Sequence, residues 1–425
     1  MTSLKTQIEN FEFHPEVYVY PTPRTYTSKL TKAEFTKDLN VYIHIPFCKQ
    51  ACTYCGYLKI VNSDLQETYL DALLKEIKTN HSILKNNIKT LHFGGGTPSL
   101  LSTKNLKQII DTISNINPNI LNTADEMSIE ATPESINYKK FSEFKKLGIN
   151  RVSMGLQTLV DSEIKLCKRN NFSKQSIEAI NILRKVGIPN LVLDLMIGIE
   201  GQTVESFKHS ITSLIKHRPE TVELYAVGLM PNTRIKTHNL MTKKEIYECY
   251  DIGRKLFLDA GYHQDCHNRY VIPNKGSFFQ EDYLFQGLSL IGFGAGARTY
   301  AKNIHYRNNY SNKAHKKAIL EYIDDINNNK SPIKSAIILT ENEKMRQYII
   351  YNIESLDKKE FRRKFNISFQ EQFPQLHQDL TNLNLIQEDW RRISLTTKGL
   401  NFRDLICKHL FSENVRKLEE EYRPK

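Results

Sequence analysis

The feature that most constrains this chain is a rhythm between residues 41 and 226. Six short apolar stretches rich in β-branched residues alternate with segments of helical spacing. Val41–Ile45, Thr90–Phe93, Met127–Ala131, Arg151–Met154, Leu191–Met196 and Val222–Ala226 read as strands. Leu65–Lys78, Lys104–Ser114, Ser135–Lys146, Ser173–Val186 and Val204–Lys216 read as helices. Strands alternating with helices build a parallel sheet with right-handed crossovers. Six units fall short of the closed eight-stranded barrel, so the expectation is a partial (β/α)6 barrel of the α/β class. Functional groups in such folds collect at the C-terminal strand ends. Cys48, Gly94–Thr97, Glu130, Gln157 and Asp194 fall at or near those ends.

The flanks divide the chain further. Residues 1–38 are polar and irregular, with Pro15, Pro21 and Pro23, and read as an N-terminal arm. Residues 39–335 hold the barrel and an extension with a glycine-rich run, IGFGAGART, at 291–299. Residues 336–425 read as a winged-helix-like α+β domain that serves as a lid or packing unit. It has helical patterns at Met345–Ile353 and Phe369–Leu383 and a hairpin at Leu385–Leu395. Gly399 is expected to end that hairpin before a last helix.

A net charge of +12 raises the question of nucleic acid. The basic residues are spread along the whole chain without a block, so no nucleic-acid partner is expected. The N-terminus lacks an apolar signal core. Leu191–Ile199 is short and interrupted by Asp194, so no membrane insertion is expected. A cytoplasmic location follows as an expectation. Of seven cysteines, three fall within eight residues. Cys167, Cys249, Cys266 and Cys407 are scattered and read as small buried hydrophobes.

YIHIPFCKQACTYCGY, residues 42–57, spaces its thiols as Cys-x3-Cys-x2-Cys at Cys48, Cys52 and Cys55. Cys thiolates are the standard ligands of iron–sulfur clusters. A loop of this length brings three thiolates onto three irons of one cubane and leaves the fourth iron open. The amino and carboxylate groups of S-adenosylmethionine (SAM) can chelate an open iron. An electron from a [4Fe–4S] cluster then cleaves the sulfonium and releases a 5′-deoxyadenosyl radical. The cofactor carries that chemistry, while the protein positions it and excludes water. The competing reading is structural zinc, which needs a fourth ligand. His44 is the nearest candidate, but on an alternating strand it need not face the loop.

FGGGTPSLL, residues 93–101, follows a strand and precedes a helix. Its glycines permit close backbone approach and leave N–H groups free for a ligand, or they serve a tight turn. It is neither a dinucleotide fingerprint nor a P-loop. Glu130, Gln157 and Asp194 could bind ribose hydroxyls or the SAM amine, or could cap helices. Arg169 could pair with a SAM carboxylate or with a surface acid.

Taken together, YIHIPFC, FGGGTPSLL, SIEATPE, INRVSMGLQTL, DLMIGIEGQT and LTTKGL resemble the oxygen-independent coproporphyrinogen III oxidase family of radical SAM proteins. The resemblance covers about residues 40–300 well and the C-terminal domain loosely. It implies SAM contacts at Tyr42, Tyr54, Gly95, Gly96, Thr97, Glu130, Gln157, Arg169 and Asp194. It also implies room for a second SAM beside Asp194, Met196 and Gly228. There are two departures. Tyr57 stands where the oxidase has a fourth cysteine, and HNRY (His267–Tyr270) replaces the HNxxYW of the haem-chaperone branch. The ending LTTKGLNFRDLICKHLFSENV is similar to branches that methylate or cyclopropanate natural products with two SAM molecules. The expected function is therefore SAM cleavage with tailoring of an organic substrate. The alternatives are coproporphyrinogen III oxidation and haem chaperoning without turnover. The partners implied are a small-molecule or tetrapyrrole substrate and a reductant such as flavodoxin or ferredoxin.

The cysteine assignment makes a direct prediction. Anaerobically reconstituted protein should hold about four irons and show a broad visible charge-transfer band. Cys48→Ala, Cys52→Ala or Cys55→Ala should abolish both, and the same change at Cys167, Cys249, Cys266 or Cys407 should not. Iron analysis of the seven variants is the check.

Overall fold

The computed structural model describes residues 3–12, 19–229 and 233–422, without the side chain of His238. Pro15 of the expected arm lies outside these residues. The six expected strands are β1 (Asp38–Ile45), β2 (Asn87–Gly95), β3 (Glu126–Ala131), β4 (Arg151–Gln157), β5 (Asn190–Ile197) and β6 (Thr221–Ala226). They pair in that order, each parallel to the one before. Five crossover helices follow the expected segments: α1 (Gln66–Thr79), α2 (Thr103–Ile116), α3 (Tyr138–Lys146), α4 (Ser173–Val186) and α5 (Val204–Ile215).

Local chemistry sets their ends. Ser102 caps α2 and Thr203 caps α5, each accepting from a first-turn N–H. Gly187 takes a left-handed conformation, φ 76°, and stops α4. One face of each strand buries Leu39, Val41, Ile43, Leu91, Phe93, Ile129 and their neighbours in a single apolar core.

The sheet stays open and continues past both edges. Beyond β6 lies an antiparallel hairpin, β7 (His263–Cys266) and β8 (Arg269–Val271), with β8 against β6. Beyond β1 come β9 (Ser289–Phe293), β10 (Arg298–Tyr300), β11 (Ile304–Asn308) and β12 (Ile333–Ile338). β9 is parallel to β1, and the remaining pairings are antiparallel. Among the described residues this is one sheet of twelve strands. Strand β12 runs across the expected boundary at 335/336. The glycine-rich run supplies β9 and the turn into β10. At its centre the Gly294 N–H donates to buried Glu76 of α1 at 2.8 Å, and Asn308 and Tyr322 donate to the same carboxylate.

The C-terminal residues form a three-stranded antiparallel sheet in the order Ser355–Asp357, Arg392–Leu395, Ile386–Glu388. It packs with helices on a second apolar core containing Ile349, Leu356, Phe361 and Leu380, and the arm adds Leu4, Ile8 and Tyr20. The helical pattern at 369–383 is split into Phe369–Gln372 and Pro374–Asn382, because proline is accepted only in the first turn of the second piece. The expectation for Gly399 is corrected. It lies inside the helix Thr397–Asn401, and a Cβ there would stand 2.0 Å from the Leu385 carbonyl oxygen. Glycine is needed for close approach, not for ending the hairpin.

Gly399→Ala should therefore strain this contact and cost about 1–3 kcal/mol. Urea unfolding of the C-terminal module is the measurement, and an unchanged midpoint would refute the close-contact account.

Candidate active site

Every second residue of β1–β6 faces the lumen, and these residues are largely polar. They satisfy one another across the strands. Thr90 donates to Asn40 at 2.8 Å, and Thr221 to Asn190 at 3.2 Å. His92 shares a 2.7 Å bond with Ser128, which donates to Glu126. Arg151, 1% exposed, reaches Glu223 at 3.1 Å and lies 3.8 Å from Glu126. Charges buried this deeply persist only when paired.

Toward the C-terminal strand ends the network meets the glycine loop. Glu130 accepts from the Gly95 N–H at 3.0 Å and lies 3.3 Å from His92 Nε2. The Tyr42 ring stacks on His92, and its hydroxyl lies 2.9 Å from His44 Nδ1. The glycines are required here. A Cβ at Gly95 would stand 2.6 Å from the His44 ring, and one at Gly96 would stand 2.8 Å from the Phe47 carbonyl and 3.0 Å from Cys48 Sγ. Gly96 N–H bonds the Ile45 carbonyl and Thr97 N–H the Phe47 carbonyl, both at 2.8 Å. The glycine loop is thus laid along the start of the cysteine loop, and the Thr97 hydroxyl lies 3.6 Å from Cys48 Sγ.

The cysteine loop leaves β1 at Pro46 and is held at several points. His44 Nε2 contacts the Leu58 carbonyl at 3.3 Å, and burial pulls its imidazole down to about 4, so it is neutral. Its two ring nitrogens are taken by the Tyr42 hydroxyl and the Leu58 carbonyl, so His44 fastens the loop's return and does not present a nitrogen as a fourth ligand. Arg169 donates to the Tyr54 hydroxyl at 2.8 Å, to the Gly155 carbonyl at 2.7 Å and to Asn171 at 3.1 Å. Among the described residues, no surface acid pairs with Arg169. Arg234 bonds the Thr53 and Ala51 carbonyls, each at 2.6 Å.

The donor set fits an iron–sulfur cluster. Among the described residues no three acidic, His or Cys side chains converge on one point as ligands of a single ion would. Thiols that each bind a different iron of a cubane stand farther apart than that. All three are free thiols, and Cys52 and Cys55 act electrostatically on Cys48. Burial pushes the Cys48 thiol up to about 12 and raises Cys55. Thiolates in this loop therefore call for a bound cation, which reverses such a shift.

The remaining predicted residues line the same end. Asp194 lies within β5, not at its end, and accepts from Ser153 at 3.0 Å. Burial pushes its carboxyl up to about 6, against the pull of Arg151. For Glu130, burial would raise the carboxyl, but His92 and the Gly95 N–H bring it below the usual range. Gln157 closes β4 at φ 71°, beyond a register shift. Met196 joins an apolar cluster with Cys167, Ile199 and Val227, against which Tyr54 packs. Gly228 follows β6 and is partly exposed. His92, Ser128, Arg151, Ser153, Glu223 and Arg234 were missed by the sequence reading. All but Arg234 carried a signal, being polar residues at alternate positions of otherwise apolar strands.

Comparison with known proteins agrees with this fold. The model of a family described as the radical SAM superfamily matches residues 42–214. The haem chaperone HemW of Bacillus subtilis is 29% identical over 374 residues, 85% of this chain and 96% of that protein. The oxygen-independent coproporphyrinogen III oxidase of Pseudomonas aeruginosa is 25% identical, over 87% of this chain and 84% of its own. The solved structure of coproporphyrinogen III oxidase (HemN) from Escherichia coli superposes with a TM-score of 0.79. It covers 93% of this chain and 96% of its own at 22% identity.

Arg169→Met should free one side of the cysteine loop, since charged hydrogen bonds contribute about 1.5–3 kcal/mol each. Iron should then pass to a chelator about tenfold faster from the variant than from the parent. Equal release rates would mean that Arg169 does not hold the loop.

Proposed function

The chain belongs to the radical SAM superfamily, in its HemN-like group, and on that premise we propose that it reductively cleaves SAM to act on a tetrapyrrole. The observation that carries this is the juxtaposition of three free thiols, the glycine loop and a carboxylate-bearing lumen at one end of the barrel. Cys48, Cys52 and Cys55 would hold a [4Fe–4S] cluster. When bound, the cluster supplies the electron that splits the SAM sulfonium.

The chain's own residues have separate tasks. Glu130 and Asp194 are carboxylates suited to the amine and ribose of SAM, beside Tyr42, Gly95, Gly96, Thr97 and Gln157. Arg169 keeps Tyr54 against the strand ends. Met196 and Gly228 offer an apolar, close-approach wall for a second adenosyl group.

The tetrapyrrole reading draws on the relatives, which are named for coproporphyrinogen oxidation and for haem chaperoning. They lend nothing to the methylation or cyclopropanation suggested by the C-terminal sequence, and tetrapyrrole chemistry replaces it here. Between oxidation and haem carriage, the HNRY segment favours a reaction. Tyr270 is fully buried and stacks on Phe257, and His267 Nδ1 contacts Glu354 at 3.0 Å. That segment is committed to packing between the sheet and the C-terminal module.

Two measurements test this. Reconstituted protein with dithionite and SAM should form 5′-deoxyadenosine, more so with coproporphyrinogen III present, and Glu130→Ala should weaken SAM binding about tenfold or more. A haem-induced Soret shift without any SAM cleavage would favour the chaperone instead. SAM affinity should also fall as pH drops through about 6, where Asp194 takes up its proton and ceases to be an anionic acceptor. Asp194→Asn should flatten that profile, and an unchanged profile would remove Asp194 from the SAM site.

A further inference from the structure

Strands β10 and β11 place Arg298 and Arg307 directly opposite one another in an antiparallel pair. Like charges in that position repel and destabilise a sheet. Both side chains are half-buried. Among the described residues neither forms an ion pair with a carboxylate; Arg298 is hydrogen-bonded to Tyr300 and also feels Tyr26 and Tyr57. Arg307 is stacked on Tyr310 at 3.9 Å, yet its Nε finds no hydrogen-bond partner. The hydroxyl of Tyr26, a residue only 6% exposed, has none either, and it feels both arginines. Two opposed guanidinium groups beside an unpaired buried Nε and an unpaired buried hydroxyl make a donor set that fits an anion.

The pair belongs to the face already described. Gly292 of β9 sits opposite Tyr42, and a Cβ there would meet the Arg298 carbonyl at 2.3 Å, so β10 continues the lumen-facing side of β1. Tyr42 and His44 both feel the Arg298 charge. On the other side, Tyr310 packs near Gly296, which lies against Leu58 at the exit of the cysteine loop. The arginines therefore flank the cysteine loop from the sheet extension.

We propose that Arg298 and Arg307, with the Tyr26 hydroxyl, form a carboxylate-binding subsite that anchors the organic substrate beside the cysteine loop. This rests on the tetrapyrrole reading for its main source of carboxylate, a propionate-type side chain. The amino-acid end of a second SAM carries the same group. Guanidinium forks match carboxylates in two-point geometry, which explains arginine at both positions.

The test uses reconstituted full-length protein and the fluorescence anisotropy of free-base coproporphyrin III. Arg298→Gln and Arg307→Gln should each weaken binding about tenfold or more, with iron content unchanged. The tetramethyl ester should bind the parent no better than the acid binds the double variant. If porphyrin binding is unaffected but the double variant loses one SAM equivalent in equilibrium dialysis, the subsite stands and SAM is its source. Unchanged binding of both ligands overturns it. A further readout does not depend on tetrapyrrole. Relieving the opposed charges in Arg307→Gln should leave Tm equal or higher, and millimolar glutarate should raise the Tm of the parent but not of the double variant. A fall of several degrees in Arg307→Gln, with no glutarate effect on the parent, would show the arginines to be structural and reject the subsite. If the parent binds neither porphyrin nor its ester, the tetrapyrrole reading fails, and the glutarate and Tm results still decide the arginine pair.

Discussion

The interior of this barrel is polar, and a charge inside it is tolerated only with a partner. That constraint organises much of the molecule. Glu126, Arg151 and Glu223 form a buried ion-pair set across three strands, and Ser128, Ser153 and His92 link it upward to Glu130 and Asp194. Each strand can carry such residues because its alternate positions are apolar and sealed by helices. The lumen therefore becomes a chamber with fixed donors and acceptors, unlike the apolar packing of many closed barrels. It also shifts proton affinities apart. Glu130 is held below the usual carboxylate range while Asp194 is pushed up to about 6. Two carboxylates with different protonation behaviour near one ligand site can serve different polar groups of that ligand.

The cysteine loop depends on this chamber for its position but not for its conformation. Its conformation comes from backbone contacts that tolerate no side chain. Gly95 and Gly96 lie on His44 and on the Phe47 carbonyl, and both contacts would be lost with a methyl group. Its attachment comes from three residues outside it: His44 at the end of β1, Arg169 from the loop after β4, and Arg234 from the segment after β6. Neutral His44 is central, since it touches Tyr42, Gly95 and the Leu58 carbonyl at once. Replacing it would loosen the loop without removing a ligand.

The two departures from the resembled motifs, Tyr57 and HNRY, lie in different surroundings. Tyr57 is exposed where a fourth cysteine was expected, and it acts electrostatically on Arg298. The HNRY segment, by contrast, is absorbed into packing under the C-terminal module. Specificity is therefore best sought between the cysteine loop and strands β10 and β11. The shared fold carries no specificity of its own.

By itself the sequence determined the six strand–helix units, their parallel order and the three thiols on one loop. Those features rest on local periodicity and short spacing, which survive without knowledge of distant contacts. It also marked Glu130 and Asp194 as acids in apolar strands. It did not disclose that Gly399 answers the Leu385 carbonyl inside a helix, or that the 369–383 helix breaks at Pro374. Tertiary structure alone decided that His44 and Arg169 hold the loop, since their partners lie 14 and 115 residues away in the chain. It alone set Arg298 against Arg307 beside that loop. Cross-strand register is fixed by which faces bury together, and no local pattern in GART or HYRN reveals which residue will stand opposite which.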